Sequence, residues 1–249
     1  MLKIIFISGW GYRTPIWCNQ YCFIKKYSLS FLDLESTYSK NSNTNKFDNF
    51  KNLINKMIVN DCAIVAWSMG AILTLEYLTE FLNKDNNLKG LVIVSGTARF
   101  TEDGGYAGIP KVLVKRMMKN LKLDSNKTLS QFYRLAFTDN EIKAGYLDKL
   151  KAFQNRWKGF DRTFLHSGLE YLLNVDLRLQ LSSVNIDIPI LLVHGRYDEI
   201  CPVFGGEFLE KSLNAADIST SKINAGHIPF FTRSNEFNDV LNKFLKNLR

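Results

Sequence analysis

Short apolar runs alternate with segments of helical periodicity, and this alternation limits the folds open to the chain. The runs are KIIFIS (3–8), LSFLDL (29–34), CAIVAW (62–67), GLVIVS (90–95), PILLVHG (189–195) and the weaker ISTSKIN (218–224). Runs of this kind are typical of strands buried on both faces. Amphipathic helical patterns lie between several of them, so the sequence predicts an α/β fold with a mostly parallel sheet of about six strands.

The interval 97–185 breaks the alternation, because it contains helical patterns and no convincing buried strand. KVLVKRMMKNLKL (111–123) and TLSQFYRLAF (128–137) are examples. We interpret 97–185 as a helical cap, or lid, inserted after the strand at 90–95. The core is then formed by residues 1–96 and 186–249, and the polar stretch SKNSNTN (39–45) is predicted to be a solvated loop.

Composition and charge exclude several classes of protein. The chain has 249 residues, of which 46% are hydrophobic and 22% charged, which is ordinary for a globular protein. No apolar run is long enough to span a membrane, and the N-terminus lacks the pattern of a secretory signal. The four cysteines are not spaced as a zinc site or a disulfide framework. We therefore expect a cytoplasmic protein without a metal or membrane association.

The pentapeptide AWSMG (66–70) places a serine between a predicted strand and a predicted helix. A nucleophile elbow, usually written G-x-S-x-G, requires this context, and its tight turn needs small residues two positions from the serine. Ala66 and Gly70 meet that need around Ser68. A serine that only caps the helix is the alternative, because such caps are common.

A nucleophilic serine needs a histidine base and a carboxylate that orients the base. Of the three histidines, His166 lies in the helical insertion and His194 within a strand, whereas His227 lies in a loop after a late strand. GRYDEICP (195–202) puts Asp198 in the turn after the preceding strand, where it is favoured over its neighbour Glu199. The order Ser68, Asp198, His227 is that of α/β-hydrolases.

The tetrahedral intermediate of ester hydrolysis also needs two N–H donors. The residue after the nucleophile, Met69, is expected to supply one of them. The glycines around Trp10 in SGWG (8–11) let the backbone approach a substrate, so the Trp10 N–H is predicted to be the second donor. A glycine-rich turn with a core tryptophan is the alternative interpretation.

With these motifs the chain resembles the α/β-hydrolase superfamily, and within it the carboxylesterases of biotin synthesis. The segments that carry the resemblance are SGWGYRTPIW, AWSMGAILTLEYL, GLEYLLNVDLR (168–178), VHGRYDEICP and AGHIPFF. The resemblance implies hydrolysis of a methyl ester on an acyl chain carried by acyl-carrier protein. It also implies that Trp10, Phe132 and Ala136 contact the substrate, with Phe132 lining the acyl channel.

The sequence departs from the family pattern at four points. The chain begins at the strand before GWG, so we expect a sheet that lacks the early strands of the family. Ser8 replaces the histidine of the family's His-Gly pair, and Ala66 replaces the first glycine of the elbow motif. Ala136 occupies the position where the family has a glutamine.

Positive charge is concentrated on the predicted cap. The net charge is +8, and residues 111–134 hold seven basic residues against one acidic residue. Helical periodicity puts the lysines on one face and Val114, Met117, Met118 and Leu121 on the other. An acidic carrier protein is the partner this face fits, and a merely solvated face is the alternative. The docking residues would be Lys111, Lys115, Arg116, Lys119, Lys122 and Arg134.

The sequence thus predicts a monomeric serine carboxylesterase that needs no cofactor and binds neither nucleic acid nor membrane. A short-chain carboxylesterase, a thioesterase or a carbon–carbon bond hydrolase or lyase on the same fold stays open, because fold does not determine chemistry. A binding module without catalytic activity is the remaining alternative.

Overall fold

The computed structural model describes residues 1–39, 47–81, 87–154, 159–215 and 217–248. The predicted loop at 39–45 therefore lies, apart from Ser39, outside the described residues. None of the helices in these ranges is long and apolar enough to cross a membrane.

Six strands form one fully parallel sheet, as predicted, in the spatial order β2-β1-β3-β4-β6-β8. Two further strands of two residues each, β5 and β7, pair with one another. The strands are β1 (Lys3–Ile7), β2 (Ser28–Leu32), β3 (Cys62–Trp67), β4 (Leu88–Val94), β5 (Asn185–Ile186), β6 (Ile190–Gly195), β7 (Asn214–Ala215) and β8 (Ile218–Ile223).

Helices connect the strands, and 3-10 helices cover Thr14–Lys25 and Leu34–Thr37. The α-helices are α1 (Asp48–Met57), α2 (Met69–Phe81), α3 (Lys111–Leu123), α4 (Ser125–Leu135), α5 (Asp139–Lys143), α6 (Tyr146–Gln154), α7 (Arg162–Asn174), α8 (Arg178–Ser183), α9 (Phe204–Ser212), α10 (Pro229–Thr232) and α11 (Ser234–Lys246). Helices α3 to α8 lie between β4 and β6 in the chain, in the interval interpreted as the cap.

The sheet centre is the most deeply buried part of the protein. All six residues of β3 and all six of β6 are buried, since helices cover both faces of the sheet. Nine residues of α2 are buried as well, which explains why its sequence is mostly apolar. The strands of this buried centre carry at their ends the predicted site residues.

A carboxylate, Asp176, joins the segment after β4 to the end of the cap. It accepts hydrogen bonds from Arg99 and from Arg178, whose Nε lies 2.8 Å from Asp176 Oδ1. The hydrogen bond from Arg178, together with that from Arg99, lowers the pKa of Asp176 to about 2 although partial burial opposes this. Asp176 is therefore ionised at neutral pH.

Asp176→Asn is expected to lower the free energy of unfolding at pH 7 by about 1 kcal/mol, allowing for solvent screening of a partly exposed group. Because the folded pKa lies below the ordinary value, this stabilisation is present above about pH 4 and is lost as pH falls towards 2. Urea unfolding at several pH values measures it. Asp239→Asn, on the exposed face of α11, is the matched control, and equal effects of the two substitutions would contradict the assignment.

Candidate active site

Ser68 occupies the one-residue turn between β3 and α2. Its φ of 57° lies in the left-handed region that residues with a Cβ adopt only at a cost in energy. The surrounding chain holds it there, since its N–H donates to the Val94 carbonyl oxygen at 3.0 Å and its own carbonyl oxygen accepts from Ala71 N at 2.9 Å. The strand, turn and helix expected of a nucleophile elbow are all present.

Close packing explains the small residues of the elbow. A Cβ at Gly70 would lie 2.5 Å from the Ser8 carbonyl oxygen, closer than any side chain tolerates. Ala66, in contrast, lies within β3 and is fully buried. Gly70 is thus required by its close contact with Ile7 and Ser8 at the end of β1. Ala66 is small enough for the packed strand β3.

Ser68, His227 and Asp198 form a continuous chain of hydrogen bonds. The distance from His227 Nδ1 to Asp198 Oδ2 is 2.7 Å, and that from His227 Nε2 to Ser68 Oγ is 2.9 Å. A carboxylate only accepts, so Nδ1–H donates to Asp198 and Nε2 accepts from the Ser68 hydroxyl. The three residues follow β3, β6 and β8, whose carboxyl ends meet at one edge of the sheet.

The environment of Asp198 keeps its carboxylate charged. Its Oδ1 accepts from the backbone N–H groups of Ile200 at 2.9 Å and Cys201 at 2.8 Å. Burial raises the pKa of Asp198, but the charge and hydrogen bond of His227, aided by the Cys201 N–H, outweigh burial and leave the pKa below its usual value. The neighbouring Glu199 lines a cavity instead of joining this network.

His194, predicted to pack structurally, supports the turn that carries Asp198. Its Nε2–H donates to the Cys201 carbonyl oxygen at 2.7 Å, and Nε2 lies 3.5 Å from Asp198 Oδ2. Burial lowers the pKa of His194, while the nearby Asp198 opposes that shift. A buried, neutral imidazole here fixes the turn without adding a second base at the serine.

The backbone of His227 is held on two sides. Trp67 Nε1–H donates to the His227 carbonyl oxygen at 2.9 Å, and the His227 N–H donates to the Ala136 carbonyl oxygen at 2.9 Å. Ala136, expected at the substrate, is fully buried and does not line the cavity beside Ser68. The sequence did not predict either of these two hydrogen bonds. The tryptophan directly before Ser68 is the one local feature of the sequence that points to the first of them.

The loop after β1 lies directly against the serine. A Cβ at Gly9 would be 3.0 Å from the Ser68 Cβ, so glycine relieves a tight contact at this approach. The Trp10 indole Nε1–H donates to the Leu165 carbonyl oxygen at 3.0 Å, and its ring packs edge-on against Phe132 with centroids 5.0 Å apart. Among the described residues, no hydrogen bond leaves the backbone N–H of Trp10 or Met69.

An apolar cavity of about 320 Å³ opens beside Ser68. Trp10 and Phe132 line it together with apolar residues of α3, α4 and α7, and Arg116, Asn120 and Gln131 contribute polar groups. Phe132, which the resemblance places at the acyl channel, thus lies at this cavity. The arrangement places a serine hydroxyl, a base and an apolar chamber at one point, which suits attack on the carbonyl of an apolar ester.

The six basic residues predicted for docking form an exposed surface on α3 and α4, called here the basic cap face. Val114 and Leu121 point inward and are buried, while Met117 and Met118 are half-buried, in agreement with the predicted periodicity. Arg134 pairs with Asp139 at 3.1 Å. The members of the basic cap face are Lys111, Lys115, Arg116, Lys119, Lys122 and Arg134, all exposed.

Known proteins resemble this chain over almost its whole length. Proteins named pimeloyl-[acyl-carrier protein] methyl ester esterase from Wigglesworthia glossinidia brevipalpis and Legionella pneumophila (strain Paris) are 28% and 26% identical to it. Each alignment covers 98% of this chain, and 94% and 95% of the respective relative. No family model matches the sequence.

Solved structures agree with the fold. An esterase from Exiguobacterium antarcticum superposes with a TM-score of 0.79 at 21% identity, and a bromoperoxidase from Bacillus anthracis with a TM-score of 0.81 at 18% identity. Each match covers 99% of this chain and 92% of the other chain. The chain has the α/β-hydrolase fold. The resemblance drawn from AWSMG, VHGRYDEICP and AGHIPFF is thereby confirmed, and the α/β-hydrolase fold explains why residues so distant in sequence meet at Ser68.

Proposed function

We propose that this chain is a serine carboxylesterase that hydrolyses the methyl ester of pimeloyl-[acyl-carrier protein] in biotin synthesis. The observation that carries the proposal is the hydrogen-bond chain from Ser68 through His227 to Asp198, at the base of an apolar cavity. The curated relatives, whose names give this activity, support the substrate.

In the first half of the reaction the Ser68 hydroxyl attacks the ester carbonyl carbon while His227 Nε2 takes its proton. Asp198 stabilises the resulting imidazolium through its 2.7 Å hydrogen bond to Nδ1. The C–O bond to the methoxy group then breaks, and the imidazolium returns its proton to that oxygen. Methanol leaves, and the acyl group stays on Ser68.

In the second half, water replaces methanol. His227 Nε2 removes a proton from a water molecule that attacks the acyl carbonyl, and the same proton returns to Ser68 Oγ as the acyl group departs. The products are methanol and the free carboxylic acid on the carrier. No metal or organic cofactor enters these steps.

Two backbone N–H groups, those of Met69 and Trp10, are proposed to stabilise the oxyanion. Met69 N is at the first position of α2, where the helix dipole favours negative charge. Trp10 follows Gly9, where an added Cβ would lie 3.0 Å from the Ser68 Cβ, so this loop lies next to the nucleophile. Both donors are fixed before the substrate binds, so their alignment costs nothing during the reaction.

Cavity size and chemistry fit an acyl chain of moderate length. A volume of about 320 Å³ lies at the lower end of the range of small-molecule sites, about 300–1,000 Å³. That size suits a slender ligand such as a seven-carbon acyl chain with a methyl ester. The cavity extends between α3 and α4, past the exposed side chains of Leu113 and Leu135, which gives a carrier-bound chain a way in.

The basic cap face is proposed to dock the acyl-carrier protein. One of its cations, Arg116, lines the cavity, and the others are exposed on the same two helices, α3 and α4. An acidic carrier with a phosphate on its prosthetic arm would be attracted to this face by electrostatic steering. We infer a cytoplasmic monomer acting with the carrier alone, and no nucleic acid or membrane partner.

The purified chain is expected to release methanol from pimeloyl-[acyl-carrier protein] methyl ester and to hydrolyse a short p-nitrophenyl ester. The double variant Lys115→Glu/Lys119→Glu should raise KM for the carrier-bound ester about tenfold and leave the short ester unchanged, because only the carrier meets the basic cap face. Steady-state kinetics on both substrates measure this difference.

Lys243→Glu/Lys246→Glu, on the exposed side of α11, makes the same change in net charge away from the cap and serves as the control. Equal KM changes for the two double variants would contradict docking on the cap. Hydrolysis of the short ester without activity on the carrier-bound ester would instead favour a general short-chain carboxylesterase.

A further inference from the structure

A buried carboxylate in the cap contacts the loop that carries His227. Glu141 belongs to α5 and is 1% exposed. Its Oε2 accepts from the N–H of Thr138 at 2.8 Å, the hydroxyl of Thr138 at 3.0 Å and the N–H of Gly226 at 3.1 Å. Three donors thus converge on one carboxylate, and one of them belongs to the residue immediately before His227.

Helix capping explains only part of this arrangement. Thr138 and Glu141 form a capping box, in which a glutamate normally reaches back to the N–H of the capping residue. The hydrogen bond from the Gly226 N–H is different, since it joins helix α5 to the loop that carries His227, and the two residues are 85 positions apart in the sequence. A capping glutamate exposed to solvent would satisfy the helix equally well.

The same stretch of cap also holds the next residue of the loop. The His227 N–H donates to the Ala136 carbonyl oxygen at 2.9 Å, so two successive N–H groups of the loop donate to residues 136–141. The fit is close, because a Cβ at Gly226 would lie 2.6 Å from the Ala136 carbonyl oxygen and 3.1 Å from Glu141 Oε2. Any side chain at position 226 would push the loop away from the cap.

We propose that Glu141 is a positioning residue, which holds the loop of His227 so that Nε2 stays within hydrogen-bond reach of Ser68. The inference rests on the proposed function, in which His227 is the general base. Loss of the Glu141 contact frees the Gly226 N–H and lets the imidazole move relative to Ser68 and Asp198. Small displacements of a catalytic group lower the rate strongly, by about 100-fold for 1 Å.

Glu141→Ala is expected to lower kcat for a short p-nitrophenyl ester by about 10-fold to 100-fold and to change KM less than about twofold. Glu141→Gln keeps one acceptor oxygen and should lose only about threefold in kcat. Asp139→Ala, an exposed acid in the first turn of the same helix, is the control for loss of charge and should stay close to wild type.

Titration of reactive serine with a fluorophosphonate probe corrects each rate for the fraction of folded protein. The low-field proton resonance of the hydrogen bond from His227 to Asp198 should broaden or shift in Glu141→Ala but not in Asp139→Ala. A role confined to stability would lower the melting temperature and leave both the corrected kcat and this resonance unchanged.

Wild-type kcat in Glu141→Ala, after correction, would overturn the inference and leave the proposed function intact. If that variant does not fold, wild-type kcat in Glu141→Gln would overturn it instead. A wild-type protein that neither hydrolyses esters nor reacts with the probe would refute the proposed function, and the inference would fail with it.

Discussion

Ser68→Ala is expected to lower kcat for ester hydrolysis by about 10⁶-fold, to the residual rate that binding and oxyanion stabilisation alone support. The substitution removes the protein atom that forms the bond to the acyl group and leaves the His227 imidazole without its proton donor. The tight turn should persist, because backbone hydrogen bonds to Val94 and from Ala71 hold it. Steady-state assay and labelling by a fluorophosphonate probe measure the loss.

Ser95→Ala is the matched control for this experiment. Ser95 follows the neighbouring strand β4, is fully buried and has a φ of 46°, so it shares the backbone conformation and burial of Ser68. Its hydroxyl has no hydrogen-bond partner among the described residues, and its removal should cost little stability. Retained hydrolysis in Ser68→Ala, or a similar loss in Ser95→Ala, would refute the assignment of the nucleophile.

Asp198→Asn is expected to lower kcat by about 10⁴-fold with little change in KM. An asparagine that keeps its contacts to the N–H groups of Ile200 and Cys201 presents its NH₂ to His227. The imidazole must then accept at Nδ1 and carry its proton on Nε2, where it can no longer take the proton of Ser68. The variant therefore tests two roles of Asp198 together, the choice of the His227 tautomer and the negative charge beside the imidazole.

The direction of the pKa shift of Asp198 determines over which pH range the carboxylate is charged. The pKa of Asp198 lies below its usual value, so the carboxylate stabilises the fold above that usual value and loses this effect as pH falls through the lowered pKa. Asp198 is therefore charged at neutral pH, and the defect of Asp198→Asn should persist across the neutral range.

Glu199→Gln is the control, since Glu199 is the adjacent acid in the same turn and lines the cavity. It should keep kcat for a short ester within a few fold of wild type. If Glu199→Gln lost more activity than Asp198→Asn, Glu199 and not Asp198 would have to be assigned as the acid that orients His227.

Much of this architecture could be predicted because its signals are local. A buried parallel strand is a continuous apolar run, as CAIVAW (62–67) shows, and the tight turn after it demands small residues around Ser68. Asp198 and His227 follow strands of the same kind. Since parallel strands end at one edge of a sheet, the meeting of these residues follows from the strand pattern.

The supports of the catalytic loop could not be predicted, because they depend on contacts between distant segments. The Ala136 carbonyl oxygen is a backbone group, which any residue supplies, so the sequence carries no mark of its bond to His227. Glu141 reads as an ordinary helix-capping residue, and its contact with Gly226 appears only once the cap packs on the loop. Positions of this kind are determined by tertiary packing.

The bond from the His227 N–H to the Ala136 carbonyl oxygen limits how this protein can be re-engineered. Exchanging the cap for that of another esterase is an obvious way to alter substrate range, and it assumes that the cap is a separable module. Here residues 136–141, within the interval interpreted as the cap, accept hydrogen bonds from the loop of His227, the proposed general base. A chimera that replaced the whole of 97–185 would exchange this support along with the residues that line the cavity, whereas one that kept residues 136–141 would retain the support.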